Sequence, residues 1–197
     1  MCRGYLSSTC TRSFESKPKR ILLSQRSKDK VDLLLAEHPT DVEMVADLQE
    51  LVQRADIIFI GLLPSVAREI LPTLPFNDEK HFVISMMAAV DMDEVIKLTR
   101  LNPNNVVRTV PLPSVQRRSG PILLHPKNEK AEGILSLIGT PVGCANEAEM
   151  KPMVSMTGHI SSFYELMRVT QGKPTHSPTH SPTHSPTHSP THSRLVY

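Results

Sequence analysis

Two patterns of hydrophobic residues alternate along the chain: short continuous runs, and residues at helical spacing. The change from one pattern to the other marks successive strands and helices. Short, continuous apolar runs predict buried strands. Seven such runs occur, at residues 20–24, 42–46, 57–62, 81–86, 106–110, 120–124 and 141–145. The run Ile57-Ile58-Phe59-Ile60 is the clearest, and its β-branched composition predicts a strand that is covered on both faces.

Segments with apolar residues at helical spacing separate these runs. Asp47 and Asp91 each precede a glutamate by three residues, a capping-box pattern that predicts the start of a helix. Pro64 suits the first position of another helix. The predicted helices lie at residues 28–37, 47–54, 64–71, 91–98, 128–138 and 150–167.

This alternation predicts an α/β fold with a doubly wound, mostly parallel sheet and right-handed crossovers. In such sheets a ligand lies beyond the carboxyl ends of the strands. The candidate site therefore consists of the loops that follow Leu23, Leu62, Met86 and Val110.

The end of the chain has a different pattern. Thr-His-Ser-Pro occurs four times between Thr175 and Pro190, and a proline at every fourth position prevents a helix or a sheet ladder. Residues 173–197 are therefore predicted to be a disordered tail. Three interpretations stay open: repeat expansion without a function, an array of Ser-Pro phosphorylation sites, and a weak metal-binding histidine tract.

Composition and charge exclude several classes of protein. The 22 basic and 20 acidic residues give a net charge of +2, which argues against nucleic-acid binding through bulk charge. No apolar run approaches the length of about 20 residues that spans a bilayer. Cys2, Cys10 and Cys144 lack zinc-ligand spacing, so no metal site is predicted and reduced thiols are expected. We expect a cytoplasmic protein, with a mitochondrial transit peptide in the basic first 20 residues as the alternative.

Two features bear on a dinucleotide cofactor, and they point in opposite directions. The chain contains no Gly-x-Gly-x-x-Gly motif, which argues against tight dinucleotide binding. The first predicted strand is nevertheless followed by Ser24, Arg26 and Ser27, with no acidic residue before Asp29. An arginine with neighbouring hydroxyls suits the 2′-phosphate of NADP, whereas an acid suits NAD. A polar turn with an exposed cation is the alternative.

Several segments, in this order, resemble pyrroline-5-carboxylate reductases. The resemblance covers roughly residues 20–167. It is carried by Ser-x-Arg-Ser after a strand, Ala55-Asp56-Ile57-Ile58-Phe59, a Leu-Pro before a helix, Val83-Ile84-Ser85-Met86-Met87-Ala88-Ala89, and Val107-Arg108-Thr109-Val110-Pro111.

The resemblance implies an NADP-binding Rossmann domain followed by a helical domain that dimerises. It also implies hydride transfer from NADPH to a small cyclic imine, Δ1-pyrroline-5-carboxylate, with proline as the product. The implied cofactor-binding residues are Ser24, Arg26 and Ser27 at the 2′-phosphate, Leu62, Leu63 and Pro64 along the cofactor groove, and Ala88 and Ala89 near the nicotinamide. No catalytic residue is assigned.

This sequence differs from the family in three places, and these differences determine the domain organisation that we expect. Gly4-Tyr5-Leu6 resembles the end of the family's first helix, so the first strand and its glycine loop are expected to be missing. Leu112 replaces a polar asparagine, and the chain enters its repeat soon after Gly158. We therefore expect a truncated NADP-binding domain over residues 1–145, the start of a helical dimerisation domain over 146–172, and the tail. The alternative function is that of a catalytically inactive Rossmann-like remnant that binds or interacts.

Overall fold

The computed structural model describes residues 20–25 and 28–171, in which strands and helices follow each other in the predicted order. The strands are β1 (Ile21–Ser24), β2 (Val42–Val45), β3 (Ile57–Ile60), β4 (Phe82–Ser85), β5 (Val106–Pro111), β6 (Pro121–His125) and β7 (Thr140–Gly143). The helices are α1 (Lys28–Glu37), α2 (Leu48–Arg54), α3 (Pro64–Ile70), α4 (Met92–Thr99), α5 (Glu129–Leu135) and α6 (Glu147–Thr170).

Local sequence explains where these helices begin. The Asp91 carboxylate accepts a hydrogen bond from the Glu94 N–H at 2.9 Å and so caps α4 as predicted. Asp47 also caps its helix, but it accepts from the Gln49 N–H at 2.9 Å and not from the Glu50 N–H that the pattern suggested. Pro64 is the first residue of α3, where its missing N–H costs no hydrogen bond.

The seven described strands form two sheets. β1 and β2 pair in parallel as a two-stranded sheet, and the other five strands follow the order β3-β4-β5-β6-β7. Only the β5–β6 pair in this larger sheet is antiparallel. The predicted Rossmann-like α/β class, with a mostly parallel sheet, is confirmed.

Helices cover both faces of the larger sheet, as a doubly wound fold requires. On one face, α2, α3 and α4 pack against alternate strand residues that include Ile58, Ile60 and Val83. On the other face, α5 packs against residues that include Ile84 and Leu124. Val83 and Ile84 are neighbours on β4 but pack on opposite faces, because successive side chains of a strand point to opposite faces of the sheet.

The prediction that β3 is covered on both faces is wrong. Ile58 and Ile60 are buried, but Ile57 is 37% exposed and Phe59 is 40% exposed. Both lie on the α5 face, where their register partners in β4 are Phe82 and Ile84. The cluster around α5 contains no residue of β3, so within the described residues this end of the sheet is covered on one face only.

The strand order also leaves one position without a described strand. In the Rossmann order 3-2-1-4-5-6, the strands β2, β1, β3, β4 and β5 take positions 3, 2, 4, 5 and 6. Position 1 lies between β1 and β3, and no described strand occupies it. Helix α2 connects the two sheets, because it contacts β1 and its Val52 packs with Ile58.

Helix α6 packs on the sheet at its beginning only. Met150 is buried with Val110, Leu123 and Cys144, whereas most side chains described after Met153 are exposed. No helix of residues 20–25 and 28–171 is long and apolar enough to cross a membrane. The division into domains at residue 146 stays a prediction, and the repeat tail lies outside the described residues.

Candidate functional site

The loops after β3 and β4 form the centre of the candidate site. Ile60 and Ser85 are register partners at the ends of these strands, and the Met86 N–H donates to the Ile60 carbonyl at 2.8 Å. The two loops therefore begin side by side at one edge of the sheet. Residues 62–64 and 88–89, which the sequence analysis assigned to the cofactor groove and the nicotinamide, lie in these loops or begin the following helix.

The first loop joins a half-buried leucine to an exposed one. Leu62 packs against the core, Leu63 is 53% exposed, and Pro64 opens α3 directly after it. An exposed leucine beside a helix start gives an apolar surface that a flat ring or a ribose could contact. Leu62, Leu63 and Pro64 are thus placed on one short segment.

The second loop is held by its buried residues and exposes its small ones. Met87 and Val90 are buried, and the Val90 N–H donates to the Met87 carbonyl at 3.3 Å. Buried Ser85 accepts a hydrogen bond from the Met87 N–H at 3.4 Å. Ala88 and Ala89 are exposed between Met87 and Val90, and their methyl groups add little bulk between a ligand and the backbone.

A buried arginine, to which the sequence analysis gave no role, supports this second loop. Arg108 on β5 is 4% exposed, and one of its terminal nitrogens donates to the Ala88 carbonyl at 2.6 Å. Its other terminal nitrogen forms an ion pair with Glu147. A cation inside the apolar run Val-Val-Arg-Thr-Val was the available signal, because a buried charge requires a partner.

Glu147 extends this network to two helices. It lies in the first turn of α6, and its second carboxylate oxygen accepts from the Met92 N–H at 3.1 Å, at the start of α4. Arg108 also lies 3.8 Å from the Met150 sulfur. The Arg108–Glu147 pair therefore joins β5, the loop that carries Ala88, and the first residues of α4 and α6.

The predicted phosphate-binding residues are described only in part. Ser24 ends β1 and is half-buried, and α1 begins four residues later at Lys28. Arg26 and Ser27 lie outside the described residues. The structure therefore brings the loops of β3 and β4 together, and it places Ser24 at the carboxyl end of the separate two-stranded sheet.

The loop after β5 differs in chemistry from the others. Leu112 is half-buried and precedes a 3-10 helix, Pro113–Arg117, for which it provides no side-chain cap. An isobutyl side chain can neither donate nor accept a hydrogen bond. This loop can therefore contact a ligand through shape and backbone groups, but Leu112 cannot select a polar group.

Burial shifts the pKa of two groups outside these loops. Burial lowers the pKa of His81, and neighbouring Lys80 lowers it further. His81 precedes β4 at the amino end of the sheet, where its Nδ1 accepts from the Asn77 N–H at 2.9 Å. Burial likewise raises the pKa of the Cys144 thiol, with Glu149 and Glu147 adding to the effect. Among the described residues, no three His, Cys, Asp or Glu side chains meet as a metal site would require.

The doubly wound sheet and the paired loops at its carboxyl edge define the class of the fold, that of a Rossmann-like α/β domain. The sequence comparison agrees with this class. Residues 4–89 match the family described as NADP oxidoreductase, coenzyme F420-dependent. No curated protein matches the sequence significantly.

Several solved structures have a similar fold. The pyrroline carboxylate reductase of Plasmodium falciparum with NADP bound superposes with a TM-score of 0.65 and 15% identity, covering 85% of this chain and 61% of that one. The Streptococcus pyogenes 1-pyrroline-5-carboxylate reductase superposes with a TM-score of 0.55 and 13% identity, covering 85% of this chain and 74% of that one. A reductive aminase of Aspergillus terreus in complex with NADPH superposes with a TM-score of 0.58 and 13% identity, covering 77% of this chain and 56% of that one.

These comparisons confirm the predicted resemblance. The chain is a divergent protein that resembles pyrroline-5-carboxylate reductases, and at these identities the structural likeness establishes the fold. The chain aligns with 74%, 61% and 56% of the three neighbours, so part of each neighbour has no counterpart in it.

Proposed function

We propose that this protein is an NADPH-dependent oxidoreductase of the pyrroline-5-carboxylate reductase type, which reduces a small cyclic imine. One observation carries the proposal: two short loops with an exposed leucine and two exposed alanines start side by side after adjacent parallel strands. This is the edge at which a doubly wound sheet binds its ligand. The similar structures with bound NADP or NADPH support the same cofactor here.

The proposed roles of the residues follow from their chemistry. Ser24, Arg26 and Ser27 hold the 2′-phosphate, with the guanidinium as its main partner. Leu62, Leu63 and Pro64 line the groove for the dinucleotide. Ala88 and Ala89 let the nicotinamide ring approach the backbone, and Arg108 keeps that backbone in place through the Ala88 carbonyl.

Bound NADPH would supply a hydride to the carbon of a protonated imine, leaving an amine and NADP⁺. The imine is electrophilic once its nitrogen carries a proton, so the main task of the protein is to orient it. The buried network around Arg108 serves that task because it holds the Ala88 loop rigid relative to β5. Reduction of Δ1-pyrroline-5-carboxylate in this way would serve proline biosynthesis.

Coenzyme binding tests the proposal first. The protein has no tryptophan, so the emission of NADPH or NADH can be followed directly during titration with the purified chain. We expect selective NADPH binding, weakened at least about tenfold in Arg26→Ala because an ionic hydrogen-bond partner of the phosphate is lost. Lys97→Ala removes an exposed cation from α4 and is the matched control.

Imine reduction tests the activity itself. NADPH consumption with Δ1-pyrroline-5-carboxylate as the substrate is expected, and it should fall with Arg26→Ala but not with Lys97→Ala. Binding of neither coenzyme, or equal binding of both, contradicts the proposed cofactor. NADPH binding without consumption of any cyclic imine contradicts the proposed activity.

A second candidate function is binding without turnover. It is favoured by Leu112, which offers no polar group at the candidate site, and by the sequence's lack of a Gly-x-Gly-x-x-Gly motif. In that case the protein would act as a Rossmann-like binding or interaction module. The two assays distinguish the candidates, since only an enzyme consumes NADPH.

We also propose that the protein forms a homodimer through α6, if this helical segment suffices. The second half of α6 exposes large apolar side chains: Phe163, Tyr164, Leu166, Met167 and Val169. Exposed apolar patches of this kind mark interaction sites. Neither nucleic acid nor a membrane is a proposed partner, and the proposed compartment is the cytoplasm, with mitochondria as the alternative.

A further inference from the structure

The connection between β5 and β6 lies at the same edge of the sheet as the candidate site. β5 is parallel to β4, and because Ser85 and Arg108 are register partners, β5 continues past the end of β4. β6 returns in the antiparallel direction, with Ile122 opposite Pro111. Residues 112–120 therefore join the two strands beyond the carboxyl end of β5, where a doubly wound sheet binds its ligand.

Hydrogen bonds and a buried side chain fix the shape of this connection. Val115 is 4% exposed, its N–H donates to the Leu112 carbonyl at 3.1 Å, and its carbonyl accepts from the Arg118 N–H at 3.1 Å. Gly120 has a φ of 87°, and a Cβ there would overlap the Ser114 Oγ. The fold therefore sets the backbone position of this connection, as it does for binding loops on a rigid sheet.

The 3-10 helix of this connection ends on an exposed arginine, Arg117. Within the described chain, the Arg117 side chain has neither an ion-pair partner nor a hydrogen-bond partner. Residues 95–128 contain six basic residues and no acidic one, so no carboxylate of this segment neutralises it. Arg118 is half-buried and has a φ of 53°, which turns the chain directly after Arg117.

The neighbouring loops supply no cation for a ligand. Residues 61–63 after β3 and 86–91 after β4 contain neither lysine nor arginine. Arg108 is buried and already engaged in an ion pair. Asp91, the acid of these loops, caps α4 through the Glu94 N–H. An anionic group on a ligand over these loops can therefore be matched by the exposed arginine of the β5–β6 connection.

We propose that Arg117 binds the carboxylate of the imine substrate and so selects carboxylated cyclic imines over uncharged ones. This inference rests on the proposed function and adds the residue that recognises the charge of the substrate. A carboxylate that leaves water needs an ionic partner, and a planar guanidinium can bind both of its oxygens.

The same contact would orient the substrate ring. In Δ1-pyrroline-5-carboxylate, the carboxylate and the carbon that accepts the hydride lie on opposite sides of the ring nitrogen. Holding the carboxylate at Arg117 therefore restricts the position of the reacting carbon relative to the nicotinamide near Ala88 and Ala89. Leu112 offers no polar group for this purpose, so the polar contact from the β5–β6 connection falls to a residue after it.

A pair of substrates that differ only in the carboxylate tests the inference. We compare kcat/KM for Δ1-pyrroline-5-carboxylate and for Δ1-pyrroline, with NADPH as the coenzyme. Arg117→Gln is expected to lower the value at least about tenfold for the carboxylated imine and to change it less than about twofold for the uncharged one. Arg117→Lys keeps the charge without the planar fork and should restore part of the loss.

Arg100→Gln is the matched control. Arg100 is also exposed and follows α4, at the opposite edge of the same sheet, so the substitution removes the same charge away from the site. It should leave both substrates unaffected, and circular dichroism checks that each variant is folded. Equal losses with both imines, no loss with Arg117→Gln, or an equal loss with Arg100→Gln would overturn the proposal. The last result would indicate attraction by net charge.

Calorimetry separates a failure of this inference from a failure of the proposed function. L-proline and L-prolinamide share the five-membered ring, and only L-proline carries a carboxylate. With NADP⁺ in the solution, we expect L-proline to bind at least about tenfold more tightly, and Arg117→Gln to remove that difference. If neither imine is reduced, the proposed function fails, while this pattern of binding still supports the contact with Arg117. Absence of saturable L-proline binding in that case would overturn the inference as well.

Discussion

At the scale of single residues, Arg108 shows how one buried charge connects the candidate site to the rest of the fold. Its guanidinium bonds the Ala88 carbonyl, pairs with Glu147 and lies beside Met150. The Arg108 side chain is 5% exposed and that of Glu147 is 23% exposed, so most of the charge of the pair is screened poorly by water. The arginine depends on its carboxylate more than the carboxylate depends on the arginine.

Removal of the carboxylate should therefore be costly. We expect Glu147→Ala to lower the free energy of unfolding by about 3 kcal/mol, because it leaves a buried guanidinium without its counter-charge. Urea unfolding measures this change. Glu149→Ala is the control from the same helical turn, since it removes an acidic residue whose hydrogen bond, from the Ala145 N–H, is exposed.

The double variant Arg108→Met with Glu147→Ala should recover much of that loss, since a methionine needs no counter-charge. A Glu147→Ala protein within about 0.5 kcal/mol of the wild type would contradict the importance of the pair.

A second residue-scale effect concerns acid stability. His81 is 3% exposed, and its burial lowers its pKa from the ordinary value of 6.5. The unfolded chain then binds a proton at a higher pH than the folded chain does. Stability from the neutral ring is present above pH 6.5 and is lost as the pH falls from 6.5 to the folded pKa.

The expected result is a falling melting temperature below pH 6.5, with a contribution of at most about 1.4 kcal/mol per pH unit from this group. His81→Asn retains an acceptor near the Nδ1 position for the Asn77 N–H but does not titrate. The variant should therefore lose this part of the pH dependence. Identical pH profiles of the two proteins between pH 5 and 6.5 would show that another group causes the decline.

At the scale of elements, the sequence predicts where a strand or a helix occurs much better than it predicts what packs against that strand or helix. All seven strands and all six α-helices of the described chain lie where the hydrophobic periods predicted them. The period depends on the residues of one element alone. Whether a face is covered depends on other elements, and for this reason Ile57 and Phe59 were wrongly expected to be buried.

The same limit applies to the candidate site. The loops after β3 and β4 follow from the rule that parallel strands place their carboxyl ends at one edge. The role of Arg108 could not be predicted, since its partners Ala88 and Glu147 are 20 and 39 residues away along the chain. The sequence indicates that a buried charge needs a partner, and only the fold identifies it.

The start of α4 offers an element-scale prediction. We expect Asp91→Ala to lower the free energy of unfolding by about 1 kcal/mol, because the Glu94 N–H loses its hydrogen-bond acceptor. Thermal unfolding measures the change. Asp93→Ala removes the same charge from the first turn without removing the cap, and a loss as large in that variant would attribute the effect to charge alone.

At the scale of the whole molecule, the two sheets are joined through side chains as well as through the chain. Glu43 on β2 pairs with Arg20 at 2.8 Å and with Arg54 of α2 at 2.7 Å, and the Arg54 hydrogen bond lowers the pKa of Glu43. From the other side of α2, the Gln49 amide donates to the Thr73 carbonyl at 3.1 Å. Helix α2 thus attaches the two-stranded sheet to the larger one, with position 1 between them.

The far end of the molecule gives the prediction on assembly. Helix α6 is 24 residues long, and its second half exposes Phe163 and Leu166 at 58% and 60%. A second copy of the chain would remove this apolar surface from water. The double variant Phe163→Glu with Leu166→Glu is therefore expected to lower the dimer fraction strongly in light scattering at matched concentrations.

Lys151→Glu is the control, because it changes the charge of the same helix about 18 Å from Phe163 at 1.5 Å per residue. Exposed substitutions on α6 should leave the melting temperature of the monomer nearly unchanged, since these side chains make little contact with the sheet. A wild-type protein that stays monomeric at every concentration would contradict the dimer. An equal loss of dimer with Lys151→Glu would show that association depends on overall charge rather than on the apolar surface of α6.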